Sequence, residues 1–333
     1  MAIINGNDRS EIIDGTNRGD LIDGNGGNDL IWGYDGNDDI HGGTGDDVIR
    51  GGSGSDDLWG DTGVNDLFGG SGADVFHMST RGNAASDDWV GDFQFDVDRI
   101  DVSRWGISDF TQIKALLHDD DSGSAWFNAS YNGRDHFLTI DGVAPGELIA
   151  ADFIFSKAGA QSVVGTGLTD TLFGSRFNDA IDGSGGNDTV LGGIGDDVLA
   201  GRTGNDNLLG GAGADRLIGN IGRDVLTGNG GNDIFDFNLT TDSNPVSGQD
   251  LITDYHRHED VIDLAGIDAN TVVAGNQAFA WIGAADFSAA GQLRYYFSGQ
   301  NTVIQGSVDG DSDAEFQFVI DARFTPGTVD FIL

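Results

Sequence analysis

The nonapeptide Gly42–Arg50, GGTGDDVIR, decides how this chain is read. Two glycines, a spacer and a third glycine precede two aspartates, and the segment closes on a short run centred on Ile49. Stepping by nine from Asp47, the sixth place holds Glu11, Asp20, Asp29, Asp38, Asp47, Asp56, Asn65 and Asp74. The eighth place holds Ile13, Ile22, Ile31, Ile40, Ile49, Leu58, Leu67 and Phe76. From Gly165 the pattern returns without a slip, with Asp170, Asp179, Asp188, Asp197, Asp206, Asp215, Asp224 and Asp233 in sixth place. Leu172, Ile181, Val190, Leu199, Leu208, Leu217, Leu226 and Phe235 follow in eighth. A period this strict is the signature of a stacked repeat.

Glycine in the first, second and fourth places suits a backbone that turns through positive φ and lets neighbouring turns approach closely. The three residues that follow make a short strand, whose alternation turns the eighth side chain inward and the seventh and ninth outward. One repeat cannot stand alone. Ordering its backbone costs roughly 9–18 kcal/mol, against about 3 kcal/mol for one buried aliphatic side chain and about 1 kcal/mol per net hydrogen bond. Stacking at about 4.8 Å also aligns the sixth-place carboxylates, whose repulsion is of kcal/mol size even at a surface-like dielectric. A cation must lie between them. Carboxylate and carbonyl oxygens in number suit calcium, while magnesium's octahedral demand fits less well. A disordered acidic linker would show no phase for isoleucine and leucine.

The ligands expected on this pattern are Asp20, Asp29, Asp38, Asp47, Asp56, Asp74, Asp170, Asp179, Asp188, Asp197, Asp206, Asp215, Asp224 and Asp233. The opening repeats depart from it, with Glu11 in sixth place, Arg9 and Arg18 in place of glycine, and Asn7 and Thr16 in second place, so calcium is expected to be weakest there.

With 333 residues, no cysteine and a net charge of −39, the chain has room for two domains and no disulfides. The charge argues against nucleic acid and anionic membrane surfaces as partners. Its opening, MAIINGNDRS, shows neither the basic nor the apolar region of a secretory leader, and no apolar run approaches the ~18 residues of a membrane span.

The chain reads as all-β: two tandem parallel β-rolls, each followed by a mostly β cap. The expected divisions are a first roll over 1–77, a first cap over 78–160, a second roll over 161–236 and a second cap over 237–333. The first cap is rich in aromatics, with a short helix expected over 109–117, and 156–166 reads as a junction. The two caps share an acidic box. DWVGDFQFDVDRID over 88–101 aligns with DLITDYHRHEDVID over 250–263, pairing Asp88 with Asp250, Asp92 with Asp254, Asp98 with Asp260 and Asp101 with Asp263. These aspartates either add calcium ligands at the end of each roll or cap turns. The offset implies a tandem duplication of roll plus cap.

The whole chain resembles the calcium-binding RTX regions of secreted bacterial proteins. Its second half is similar to the C-terminal region of serralysin-type proteases, with a DFIL tail at Asp330–Leu333, and the duplicated layout resembles the R-modules of secreted mannuronan C-5 epimerases and a small secreted nodulation-type RTX protein. The resemblance implies calcium between turns two repeats apart, held by sixth-place carboxylates and turn carbonyls, with two repeats per coil. It also implies unfolded export through type I secretion machinery, with the tail as signal, and folding on external calcium. The HExxH of the serralysins is absent.

No nucleophile elbow, P-loop or cysteine zinc spacing occurs, and catalysis is not expected. His256 and His258 either share a strand face and bind a transition metal or form an exposed pair. Asp309, Asp311 and Asp313 imitate an EF-hand opening without its glycine and glutamate, which favours a loop. Ninth-place residues sort by coil into Trp32, Arg50 and Phe68 on one sheet and His41, Trp59 and His77 on the other. Those ladders are expected either to pack internally or to meet a polysaccharide or other extracellular surface partner.

Overall fold

The structure, a computed structural model, describes all residues except 79–84, 121, 132–133, 246–247, 310 and 312. The chain divides into two compact units, Met1–Lys157 and Ala158–Leu333. In the first unit, one sheet runs Ile3–Asn5, Leu21–Asp23, Asp39–His41, Asp57–Trp59, Val75–His77, Arg99–Asp101 and Phe153–Ile154. The facing sheet begins with Ile12–Asp14, Leu30–Asp35, Val48–Ser53 and Gly63–Ser71 and continues into the cap through Ser86–Val90 and the antiparallel pair Ala125–Tyr131 and Arg134–Ile140.

Register follows from the repeat. Ile22 pairs with Ile40 and Ile40 with Leu58 in one sheet, Ile31 with Ile49 and Ile49 with Leu67 in the other, all parallel and eighteen residues apart. One coil therefore takes two repeats, and alternate repeats feed opposite sheets. The eighth-place side chains from Ile22 to Phe76 are fully buried between the sheets, each contributing about 1.5–3 kcal/mol.

The glycines of the quoted repeat divide their work. Gly43 and Gly45 take φ of 101° and 131°, where a side chain would be strained. Gly42 does not, and it is required for room: a Cβ there would lie 2.5 Å from Asp47 Oδ2 and 2.8 Å from the carbonyl oxygen of Gly60. Positive φ is thus a property of the second and fourth places, not of the first.

The second unit repeats the plan. Leu199 pairs with Leu217, Leu217 with Phe235 and Phe235 with Ile262, while Leu208 pairs with Leu226 and Leu226 with Ile252. The facing sheet extends through Phe316–Ile320, Asn301–Ser307 and Gln292–Ser298. The tail is a strand, Phe331–Ile332, paired with Val261–Asp263. Buried Asp330 anchors it by accepting from Tyr255 Oη at 3.2 Å and Arg257 Nε at 3.3 Å.

The expected helix spans Phe110–Leu116, capped by the Asp109 carboxylate, which accepts from the backbone N–H of Thr111 and Gln112. His256 and His258 do not share a strand face. His258 sits in a turn at φ 76°, and His256 Nδ1 lies 3.8 Å from Asp260 Oδ2.

Candidate metal centres: ladders of half-satisfied carboxylates

Every regular repeat uses its aspartate in the same way. Oδ1 reaches one coil back and accepts the backbone N–H of the sixth-place residue there: Asp38 from Asp20 at 2.7 Å, Asp47 from Asp29 at 2.8 Å, Asp56 from Asp38 and Asp74 from Asp56 at 2.9 Å. In the second unit, Asp188, Asp197, Asp206, Asp215, Asp224 and Asp233 accept likewise at 2.8–2.9 Å. The alternation of sheets makes two such ladders in each roll.

The other oxygen is left over. Oδ2 of Asp29, Asp38, Asp47, Asp56, Asp74, Asp188, Asp197, Asp206, Asp215, Asp224 and Asp233 is buried with no hydrogen-bond partner. These side chains are at most 2% exposed, and an ionised buried carboxylate with an open lone-pair face is costly unless something positive meets it. Burial first, then neighbouring carboxylates, pushes Asp47, Asp74, Asp188, Asp197 and Asp233 up to about 6 and Asp56, Asp215 and Asp224 up to about 7. Beside the open oxygens of Asp29, Asp38, Asp47, Asp56, Asp188, Asp197 and Asp215 stands a backbone carbonyl from the next coil. A Cβ at Gly33 would meet Asp38 Oδ2 at 2.5 Å and the Gly51 oxygen at 2.4 Å; one at Gly192 would meet Asp197 Oδ2 at 2.5 Å and the Gly210 oxygen at 2.4 Å. The donor set is all oxygen, anionic and carbonyl together, and it fits calcium.

Three of the expected ligands differ. Asp20 Oδ2 accepts from Thr16 N at 2.8 Å and Thr16 Oγ1 at 2.7 Å, Asp170 Oδ2 from Thr166 N at 2.6 Å and Thr166 Oγ1 at 2.8 Å, and Asp179 Oδ2 from Ser175 N. Each closes its own turn. Threonine or serine stands in second place in these three repeats, but the residue type alone does not decide the closure, since Ser184 holds the same place at φ 71° and leaves Asp188 Oδ2 open. Glu11 likewise turns both carboxylate oxygens onto Asn7.

The aspartates of the acidic boxes divide between extending the ladders and capping turns, with Oδ2 of Asp98 and Asp260 taken by the backbone N–H of Gln94 and His256. Asp98, Asp250 and Asp260 continue the ladders, accepting from the backbone N–H of Asp74, Asp224 and Asp233 at 2.8–3.0 Å. Asp88 occupies the corresponding place and accepts from Asn65 Nδ2 at 2.8 Å. Oδ2 of Asp88 and Asp250 is again unpartnered, and burial lifts these groups to about 7 and about 9. Asp92 and Asp254 cap turns instead, on the N–H groups of Gly69 and Gly70 and of Gly228 and Asn229. Asp242, 1% exposed with Oδ1 unpartnered, lies outside repeat and box alike, and no spacing points to it.

Asp309 and Asp311 gather with Glu315, their carboxylate oxygens within 4.8 Å of one another, and Asp313 stays outside the group. On the roll surface, the guanidinium of Arg50 lies 4.1 Å from the Phe68 ring and 5.2 Å from the Trp32 ring, in an open cavity of about 410 Å³. On the other sheet, Trp59 stacks between His41 and His77 at 4.3 and 3.9 Å. His77 meets Asp57 and Asp101 at 2.9 and 3.0 Å, and His41 meets Asp61 at 3.0 Å.

The model of the RTX calcium-binding nonapeptide repeat matches residues 5–40, 14–49 and 41–76, so these repeats are calcium-binding motifs. A comparison with curated proteins finds no match. Among solved structures, the AlgE6R2 subunit of the Azotobacter vinelandii mannuronan C5-epimerase is 27% identical, with 46% of this chain and 94% of that one covered and a TM-score of 0.31. The AlgE6R3 subunit of the same enzyme is 21% identical over 50% and 74%, with a TM-score of 0.24. The extracellular lipase LipA of Serratia marcescens is 15% identical over 98% of this chain and 40% of its own, with a TM-score of 0.24. The model described as Peptidase M10 serralysin C terminal matches residues 151–333, more than half of the chain, and the chain belongs to that family.

Proposed function

We propose that this is a secreted calcium-binding protein that leaves the cell unfolded through type I machinery, folds when it meets external calcium, and serves a structural or interaction role without catalysis. In this reading 1–77 and 161–236 are the calcium-loaded rolls, and 78–160 and 237–333 are the caps that end them. The observation that carries it is the row of buried, unpartnered Oδ2 atoms facing coil carbonyls. Asp29, Asp38, Asp47, Asp56 and Asp74 hold calcium in the first roll, and Asp188, Asp197, Asp206, Asp215, Asp224 and Asp233 in the second. Asp20, Asp170 and Asp179 bind less strongly, because their second oxygen is already used.

Calcium bound there neutralises the stacked carboxylates; the chain's own part is to hold each oxygen in place through the Oδ1 hydrogen bond. A rung without an ion is a net cost to the fold, so binding free energy becomes folding free energy. In a calcium-poor cytosol the chain stays unfolded and fit for export. Removing Asp330–Leu333 and following the chain in a host with type I machinery tests the export half: export should be lost, and normal secretion of the shortened chain would sink it.

A second reading is favoured by the Arg50 cavity. Trp32, Arg50 and Phe68, on three successive coils with the guanidinium between the two rings, offer apolar ring and hydrogen-bond donor together, with Asp35, Ser53 and Asp92 on the same wall. That combination suits a polysaccharide chain. Binding assays against neutral and uronate polysaccharides in calcium should show Arg50→Ala weakening binding at least ~10-fold, about 1.4 kcal/mol. Equal binding by the variant, or none by either chain, would remove this reading and leave the calcium reading untouched.

A further inference from the structure

Within the ladders one rung is built from different atoms. At Gly24, Gly33, Gly42 and Gly51, a Cβ would meet the Oδ2 of the repeat's own aspartate and the carbonyl oxygen of the glycine one coil on, each at 2.3–2.8 Å. At Gly60 it would meet Asn65 Nδ2 at 2.6 Å and Asp88 Oδ1 at 2.5 Å. A nitrogen donor thus stands where every neighbouring rung presents an open oxygen.

The amide cannot turn round without loss. Asn65 Oδ1 accepts the backbone N–H of Asp47 at 3.0 Å, as the aspartates do one coil apart, and this leaves Nδ2 to donate to Asp88 Oδ1 at 2.8 Å. An amide N–H donates and cannot ligate a cation, while its hydrogen bond to a carboxylate is charge-assisted. Asn65 and Asp88 are both 0% exposed, so the tie is made away from solvent. It also lies at a particular place, the seam where roll strand Gly63–Ser71 pairs with Ser86–Val90, the first strand of the cap. The same seam in the second unit joins Asp224 to Asp250 with Oδ2 of both unpartnered, whereas at Asn65 and Asp88 one open oxygen remains, Asp88 Oδ2.

We propose that Asn65 is an ion-free rung, its amide N–H taking the place of calcium against Asp88, so that the first unit joins its roll to its cap without an ion where the second unit uses one. Asn65→Asp should install the missing site, and Asp224→Asn should remove its counterpart. The proposal rests on the calcium reading of the other rungs.

Native mass spectrometry of the full chain in saturating calcium counts the ions directly. The expected result is one ion more than wild type for Asn65→Asp and one fewer for Asp224→Asn, with Asn65→Ala unchanged in count. Thermal melts in saturating calcium provide a second readout: Asn65→Asp should melt at or above wild type. An unchanged count for Asn65→Asp while wild type is loaded, or an ion lost by Asn65→Ala, overturns the proposal and spares the calcium reading. A wild-type chain that binds no calcium overturns both.

Discussion

The two rolls share register, coil length and core, and differ in how completely their ladders are charged. In the second, aspartate fills every sixth place from Asp170 to Asp233, and Oδ2 lies open on every one from Asp188 onward. In the first, the open run is interrupted by Asn65, and the opening Glu11 folds back on Asn7. A repeat of this kind therefore carries two separable instructions. The glycines and the eighth-place aliphatics shape the coil, and both rolls obey them equally. The sixth-place oxygen decides whether the coil stands without metal, and there the rolls part. Stacked carboxylates pushed toward 6 or 7 mark where the polypeptide is incomplete by itself.

Replacing Asp206 by alanine in the second roll should break the comparison most strongly. It removes one open oxygen and the acceptor for the Asp188 N–H at once. Calorimetric calcium titration should show a loss larger than the roughly 10–100-fold that follows removal of a mere supporting group at a metal site, with rungs on both sides weakened. A loss no greater than that of Glu11→Ala would mean that position in the stack does not matter.

Acidity should sharpen the contrast by reversing sign with calcium. Without the ion, carboxylates raised above the ordinary 3.8 make the folded state the better proton binder between about 4 and about 7. The metal-free fold is then favoured at the acid end of that window and loses stability as pH rises through it. With calcium present, protons compete for the same oxygens, and stability should fall as pH drops below about 7. The far-UV β signal across pH 4–8 in chelator, and melts over the same range in calcium, check both slopes. Parallel slopes would show that the raised carboxylates are not the calcium ligands.

A smaller effect is expected at the roll entrances. Asp170→Ala removes a carboxylate whose Oδ2 is already held by Thr166, so it should change calcium affinity less than Asp206→Ala and act chiefly through the lost cap, about 0.5–2 kcal/mol of stability. Chemical denaturation in calcium, paired with titration, separates the two. An Asp170→Ala loss of binding as large as that of Asp206→Ala would contradict the turn-closing role.

Much of this was legible in the sequence because it follows from period. The stacked coil and the inward eighth place come from counting by nine, while the two-repeat turn, and with it the sorting of Trp32, Arg50 and Phe68 from His41, Trp59 and His77, follows from the resemblance to RTX regions. The closing of Asp20, Asp170 and Asp179 on Thr16, Thr166 and Ser175 was not legible, because Ser184 holds the same second place and leaves Asp188 open. What counting could not settle was which box aspartates extend a ladder: Asp88 and Asp250 do so and Asp92 and Asp254 cap turns, a difference made by where the cap strand docks on the last coil. Asp242 was invisible because a loop, not a repeat, brings it in. The strand reading of His256 and His258 failed for a local reason, since Asp260 accepts the His256 N–H and bends the segment into a turn.

The most direct measurement is far-UV circular dichroism of the full chain in EDTA at neutral pH, followed by a calcium titration. The rolls should lack their β signal in chelator and gain it cooperatively as calcium reaches roughly 10⁻⁴–10⁻³ M, the range of extracellular modules. A complete β spectrum in EDTA, unchanged by added calcium, would show that the ladders stand on hydrogen bonds and apolar burial alone and that the ion is not their folding switch.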